Sequence, residues 1–519
     1  ALYGTAAANG VIVITTKKGI AGTTRFNAYT EYGTIQDVTD YPANYLGYCS
    51  IDTSTGGRAT FDYCDLGTLA DPGLASLNVQ LDSVVSFNPL EDPRSTPFED
   101  GARRKFGISA SGGTDRATYF LSADIDDEDG LYKFGLSKIE RKGVRANIRA
   151  QLLDDLDVTV NTGYVRSDAT LPQNDNNALG VVPGALLSSA VRFDSVTAGY
   201  GFGITPEQIS LIDTEQIIDR LTGSVTAEWR PINWLSLIGT AGLDRVNATD
   251  QETVPPGQVP FSPTLLEGSR FQERGITTEY TVNFGGNATY EVANALSATT
   301  SAGVQYNEQL LRASSAFGAL LLPGVPSLEG ANARFAVSET NFQVRTIGGY
   351  VQQKLDWRNR LFLAAALRAD DNSAFGNDFG LAYYPSASVS WVVADEPFFP
   401  DIEALSTLRL RAAAGRSGLQ PGVLDAFRFF NPVAVSTLQG STPGFTIGGA
   451  GNPNLKPEKI TEYELGFDAG LIDDRIGVEF TYFHKTSEDA LISRTLPPSL
   501  GISATRRENL GSVETSGIE

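Results

Sequence analysis

Two cysteines and a single histidine are all this chain offers to redox, soft-metal or nucleophilic chemistry. Cys49 and Cys64 stand far apart in a polar stretch rich in Gly and Thr. That spacing fits neither a zinc site nor a C-x-x-C redox pair, and it points to a disulfide made in an oxidising compartment. His484, in TYFHKT, can assemble neither a His-based metal site nor a triad, and its expected place is one face of a strand. The run DIDDEDG (Asp124 to Gly130) has the look of a calcium loop, but Asp129 stands where that loop needs its glycine; it reads as solvated carboxylates. There is no Walker A loop and no GxSxG elbow, so neither an enzyme nor a cofactor or metal is expected. What remains is binding chemistry. Arg145, Arg149, Glu228, Arg409 and Arg411 fall at alternating positions. Two groups of aromatics, Tyr41, Tyr45 and Tyr48 and then Phe427, Phe429 and Phe430, stand in long polar segments and could stack on sugar rings, pack loops together or meet a partner.

The elements that position these residues follow from composition and period. The chain is 519 residues long, 41% hydrophobic and 10% aromatic, which excludes general disorder. No apolar run approaches the ~18–20 residues of a membrane helix, while membrane strands leave only a weak hydropathy signal. The formal charge is 40 − 61 = −21, which argues against a nucleic-acid partner.

The dominant period is two. In VRANIRAQL, Val144, Ala146, Ile148, Ala150 and Leu152 share one face, and Arg145, Asn147, Arg149 and Gln151 the other. LTGSVTAEW, YTVNFGGNATY and ATYFLSADI repeat the pattern. Short polar turns (SGGTDR, LLDDL, RPINW, EVANA, DWRNR, LIDDR) alternate with long polar segments: Gln36 to Arg104, Leu171 to Arg220, Val254 to Gly275, Ala316 to Phe342, and Pro421 to Glu458. Short turns at one end and long loops at the other predict an all-β fold, a transmembrane antiparallel barrel, with Trp229, Trp234, Trp357 and Trp391 in interfacial girdles. A β-sandwich or propeller is the soluble alternative, with shorter loops and more regular spacing. About sixteen strands can be counted, each apolar face long enough to cross a bilayer. Arg145, Arg149, Glu228, Arg409 and Arg411 then face the lumen.

Several stretches resemble one family. ALYGTAAANGVIVITTKKG is similar to the end of the plug domain of TonB-dependent outer-membrane receptors, most of all in the SusC/RagA branch. FGISASGGTDRATYFLSADIDDEDGL, YYPSASVSWVVADEPFF and LRLRAAAGRSGLQPG resemble barrel strands of that branch. NPNLKPEKITEYELGFDAGLIDDRIGVEFTYFHKTSEDALI resembles a motif common among TonB-dependent receptors. The resemblance implies a 22-stranded barrel plugged from within, of which about sixteen strands are present and about six would lie beyond Glu519. It implies that residues 1–20 are the C-terminal remnant of the plug and 21–519 barrel. In the remnant, to which Tyr3 and Asn9 belong, Gly4 and Gly10 would serve turns or close packing, VIVITT a plug strand, and Lys17, Lys18 and Gly19 the way out to the first barrel strand. Signal peptide, TonB box and most of the plug would lie upstream. The implied function is import of oligosaccharides or peptides across the outer membrane of a Gram-negative bacterium, among outer-membrane lipid and lipopolysaccharide. TonB with ExbB and ExbD would supply the energy, and a SusD-like surface lipoprotein the lid. A siderophore or vitamin receptor is the nearest alternative, disfavoured by the SusC-like plug ending. A passive porin or adhesin-like barrel is the alternative from another class.

Overall fold

The computed structural model describes residues 14–52, 58–64, 79–173, 177, 179–186, 193, 196–200, 204–259, 266–376, 380–400, 402–437, 440–500 and 504–519. Its first strands are β1 (Gly22–Ile35), β2 (Asn44–Asp52), β3 (Arg58–Cys64), β4 (Val79–Phe87), β5 (Gly101–Gly113), β6 (Ala117–Asp129), β7 (Lys138–Leu153) and β8 (Leu156–Thr170). Then come β9 (Asp213–Ile232), β10 (Leu235–Val254), β11 (Ser269–Ala293), β12 (Leu296–Leu321), β13 (Ala331–Trp357), β14 (Leu361–Asn372), β15 (Ala382–Val392) and β16 (Leu405–Leu419). The last are β17 (Phe429–Thr437), β18 (Gly440–Gly449), β19 (Glu458–Leu471), β20 (Ile476–Glu488), β21 (Leu491–Thr495), β22 (Thr505–Asn509) and β23 (Ser512–Ile518). One antiparallel sheet of sixteen strands runs β1-β5-β6-β7-β8-β9-β10-β11-β12-β13-β14-β15-β16-β19-β20-β23. The remaining strands form three small sheets inside the long connections: β3-β2-β4, β17-β18 and β21-β22.

The sheet is apolar on its outer face. Ile148, Val225, Phe284, Val304 and Val351 are each about half exposed, while the rows between them carry Arg149, Ser224, Asn283, Gln305 and Gln352. So much contiguous apolar surface has no stable place in water; a hydrocarbon solvent is its natural partner. Among the described residues no helix is long and apolar enough to cross a membrane. The short turns close tightly. In the three-residue connection 358–360, Arg358 and Asn359 both take φ near +55°, the Arg360 amide donates to the Trp357 carbonyl at 3.1 Å, and the Asn359 backbone amide donates to the Asp356 carboxylate at 2.9 Å.

Four details depart from the sequence reading. The long strands reach 20 to 27 residues, so β9 begins at Asp213 and β13 at Ala331, and the loops after β10 and β12 shrink to 255–268 and 322–330. Segments such as TEQIIDRL look like loop because polar and charged residues stand on both faces (Glu215 and Asp219 on one, Thr214, Gln216 and Arg220 on the other), which blurs the alternation; cross-strand pairing still satisfies their backbone. DIDDEDG likewise lies mostly in β6, not in a loop: Asp126 pairs with Arg103 at 2.6 Å, Asp127 with Arg104 at 3.2 Å and Asp129 with Lys138 at 3.1 Å. All four tryptophans collect at the short-turn end, giving a tryptophan girdle at one interface rather than two. Within VIVITT, Ile14 to Thr16 belong to no strand, and the residues before them lie outside the described ones.

Candidate functional site: the lumenal wall and its loops

The entry of the chain fixes which face is the lumen. Thr16, Lys17 and Gly19 run against the polar side of β6 and β7. Asn147, 4% exposed, donates through Nδ2 to the Lys17 carbonyl at 2.8 Å and reaches Thr16 Oγ1 at 3.5 Å. Gly19 passes so close to β6 that a Cβ would sit 2.4 Å from the Tyr119 backbone. Lys17, Lys18 and Gly19 thus lead into β1, as expected. Beside them Arg145, Asn161, Asp244 and Glu279 line a polar hollow of about 310 Å³ that Thr16 borders. Replacing Asn147 by Ala leaves the Lys17 carbonyl without this partner, a loss of about 1–3 kcal/mol. Trypsin should then cut after Lys17 or Lys18 roughly tenfold faster, with Asn161→Ala as a control that stays slow. Equal cutting rates for Asn147→Ala and wild type would show that Asn147 does not hold this segment.

The other candidate lumenal residues engage the wall itself. Asp157 takes Arg149 at 2.9 Å and Arg230 at 3.2 Å, and Arg230 continues to Glu228 at 2.6 Å. Arg149 and Glu228 are thereby brought into one ladder near the short turns. Arg409 and Arg411 share Asp468, at 2.9 and 2.8 Å, and Arg411 also donates to Thr481. These pairs brace neighbouring strands and set a charged lining. Arg145, which makes no ion pair among the described residues, is the candidate with a guanidinium open to a bound group.

A cluster that the sequence reading did not single out lies toward the long-loop end of β13 to β16. Arg368 (3% exposed) and Asp370 (fully buried) meet at 2.7 Å, and Arg368 also donates to Gln305 at 2.5 Å. Asn372, on the same row, holds Thr346 at 2.7 Å and Gln420 at 2.6 Å, tying the wall to the loop after β16. Gly348 makes room: a Cβ there would lie 2.1 Å from Asp370 Oδ1. The signal was available in LRADDN, whose alternation puts Arg368, Asp370 and Asn372 on one face.

The long connections are folded. Leu90, Leu136, Val181, Ala185, Tyr200, Ile204 and Ile209 form a small core shared by two of them and the short link between β6 and β7. Tyr41 stacks on Phe98 at 5.5 Å, and Phe98 meets Tyr132 at 5.4 Å, so Tyr41 packs loops together. Burial raises the Tyr132 and Tyr200 phenols above their ordinary range. Hydrogen bonds from Arg94 hold the Asp92 carboxyl down at about 2. Tyr45 is exposed and Tyr48 half-buried on β2. Phe429 is half-buried over Gly448 and Gly449, while Phe427 is exposed. Phe430 is 55% exposed and shares a face of the β17–β18 hairpin with Phe445, 77% exposed, which the sequence reading missed although GSTPGFTIGG alternates. Cys49 and Cys64 fall on the paired strands β2 and β3, but their side chains lie outside the described residues. Tyr3, Gly4, Asn9 and Gly10 lie outside them as well.

A lipid-facing, polar-lined antiparallel wall with short turns, long folded loops and a chain segment entering its lumen defines the outer-membrane receptor class of β-barrel. Residues 87–519 match the family model "TonB dependent receptor-like, beta-barrel", and the chain belongs to that family. It is 24% identical over its whole length to TonB-dependent receptor P26 of Formosa agariphila, covering 52% of that protein. It is 32% identical over 169 residues to TonB-dependent receptor SusC of Bacteroides thetaiotaomicron, covering 31% of this chain and 17% of SusC. The chain spans about half the length of the curated relatives it matches end to end. In fold it is similar to a chain of the RagAB peptide transporter, with TM-score 0.77 and 18% identity over all of this chain and 61% of that one. The likeness to the siderophore receptor PirA of Pseudomonas aeruginosa is looser, with TM-score 0.51 and 14% identity over all of this chain and 66% of that one. The chain is thus similar to SusC in sequence over part of its length and to a RagAB chain in fold.

Proposed function

We propose that this chain is the barrel portion of an active importer in the outer membrane of a Gram-negative bacterium, taking up oligosaccharides or peptides. Residues 1–20 are the end of its plug, and residues 21–519 its wall and loops. TonB with ExbB and ExbD supplies the work, because the outer membrane has no nucleotide triphosphate of its own, and a SusD-like lipoprotein covers the loops. The observation that carries this reading is the Asn147 clasp on residues 16 and 17: a segment is held inside a polar wall whose outer face is built for lipid. A gated pore needs such an attachment and a passive one does not. Arg145 and the polar hollow beside it lie on the path that opens when the plug moves. Phe430 and Phe445 form the platform that meets substrate or lid, with Tyr45 and Tyr48 as secondary contacts; Phe427 and Phe429 shape the same loop.

The test is a deletion strain grown on single carbon and nitrogen sources. Loss of growth on one class of oligosaccharide or peptide, restored by the gene, is the expected outcome. Co-purification of a surface lipoprotein with the receptor is expected alongside it. Growth lost only under iron limitation would instead establish a siderophore receptor.

A further inference from the structure

GNPNLKPE, residues 451–458, leads from β18 into β19 and gathers the connections after β14 and β20 onto its own. From the loop after β14, the Gly376 amide donates to the Leu455 carbonyl at 3.0 Å, and a Cβ on Gly376 would lie 2.1 Å from the Pro453 carbonyl oxygen. From the start of the connection after β16, the Asp425 carbonyl accepts the Asn452 amide at 2.9 Å. Gly451 turns the chain there with φ +60°, and a Cβ on it would lie 2.3 Å from the Phe427 carbonyl carbon. Leu455 and Pro457 are fully buried in the middle of the joint.

The connection after β20 is fastened by one side chain. Asn509, on β22, accepts the Lys456 amide through Oδ1 at 2.9 Å and donates through Nδ2 to the Lys456 carbonyl at 2.9 Å. Its Nδ2 also donates to the Asp489 carbonyl at 2.8 Å, at the foot of the β21–β22 hairpin. A single amide group thus pairs with both backbone groups of Lys456, as a neighbouring strand would. Asn452 answers from the other side, donating through Nδ2 to the Arg507 carbonyl at 3.0 Å. Glu458 accepts the Leu491 amide at 2.7 Å.

This joint lies at the base of the β17–β18 hairpin, which the Asp425–Asn452 bond closes. A two-stranded hairpin is marginal by itself in water, so the order of the Phe430 and Phe445 rings depends on how firmly that base is held. We infer that Asn509, together with Asn452, is a positioning residue for the Phe430–Phe445 platform. It locks residues 451–458 to the β21–β22 hairpin, and the two hairpins are presented as one body. Asn509 belongs to neither strand of the platform and acts through its base. The functional part of this inference rests on the reading of Phe430 and Phe445 as the surface that meets substrate or lid.

The experiment compares hydrogen–deuterium exchange in the receptor purified from outer membranes, wild type against Asn509→Ala and Asn452→Ala. Both variants should exchange roughly tenfold faster at residues 430–436 and 441–447, because backbone partners of the joint are lost. The loop core around Leu90 and Tyr200 should keep its wild-type rate. Arg494→Gln removes an ion pair to Glu508 within the β21–β22 hairpin but leaves the lock, and should not change residues 430–436 and 441–447. In cells given a labelled oligosaccharide or peptide of the class that the deletion strain identifies, Asn509→Ala should raise the half-saturating concentration about tenfold, since a platform ordered only on contact binds more weakly. Its maximal uptake rate should stay at the wild-type value. Faster exchange confined to residues 456–458, 489–495 and 505–511 in both variants overturns the lock. So does a lowered maximal rate with an unchanged half-saturating concentration. The expected exchange pattern in a receptor that takes up neither oligosaccharide nor peptide would contradict the functional reading alone.

Discussion

Asp370→Ala is expected to destabilise the loop end of β13 to β16 by about 3–5 kcal/mol, because it leaves the Arg368 guanidinium buried without its carboxylate. The two side chains are almost wholly removed from solvent and meet at 2.7 Å. An interior charge that loses its partner cannot recover the lost solvation from the protein around it. The pair as a whole contributes far less than its rupture costs, since both ions were desolvated to make it. Arg368→Met combined with Asp370→Leu should therefore recover most of the loss. Thermal unfolding in detergent reads both effects. A full drop for the single variant and near recovery for the double is the expected pattern. A double variant as unstable as the single would place the function of the cluster in its bonds to Gln305 and the neighbouring strands rather than in the ion pair.

Phe430→Ala with Phe445→Ala is expected to cut substrate uptake at low concentration about a hundredfold while leaving the unfolding temperature unchanged. Both rings stand on one face of the β17–β18 hairpin, 55% and 77% exposed, and pack on nothing that the wall needs. Burying an aromatic side chain against a partner yields roughly 1.5–3 kcal/mol, so even the lower figure for two rings exceeds a hundredfold in affinity. Phe429→Ala supplies the contrast: its ring lies over Gly448 and Gly449, and its loss should loosen the hairpin. Unchanged uptake in the double variant would remove this hairpin from substrate or lid contact.

The wall was legible because its rule is binary. Alternation over VRANIRAQL or YTVNFGGNATY sorts each residue to lipid or lumen without tertiary information, and the count of sixteen strands followed. Strand ends were not legible where lipid stops. There polar and charged residues stand on both faces, so the first residues of β9 and β13 carry the composition of loops while their backbone remains paired. The partners of the candidate lumenal arginines were not predictable: Asp157 and Asp468 come from neighbouring strands whose register only the fold supplies. The loop core around Leu90 and Tyr200 was hidden for the same reason, since it gathers residues from three separate connections.

The most direct test follows a labelled oligosaccharide or peptide, of the class the deletion strain identifies, into living cells that carry this receptor. Uptake is compared with TonB present, with TonB deleted, and after a protonophore collapses the inner-membrane gradient. Binding at the cell surface should persist in all three, while accumulation inside should occur only with TonB and an intact gradient. Equal accumulation in all three would make the barrel a passive pore and contradict the importer reading.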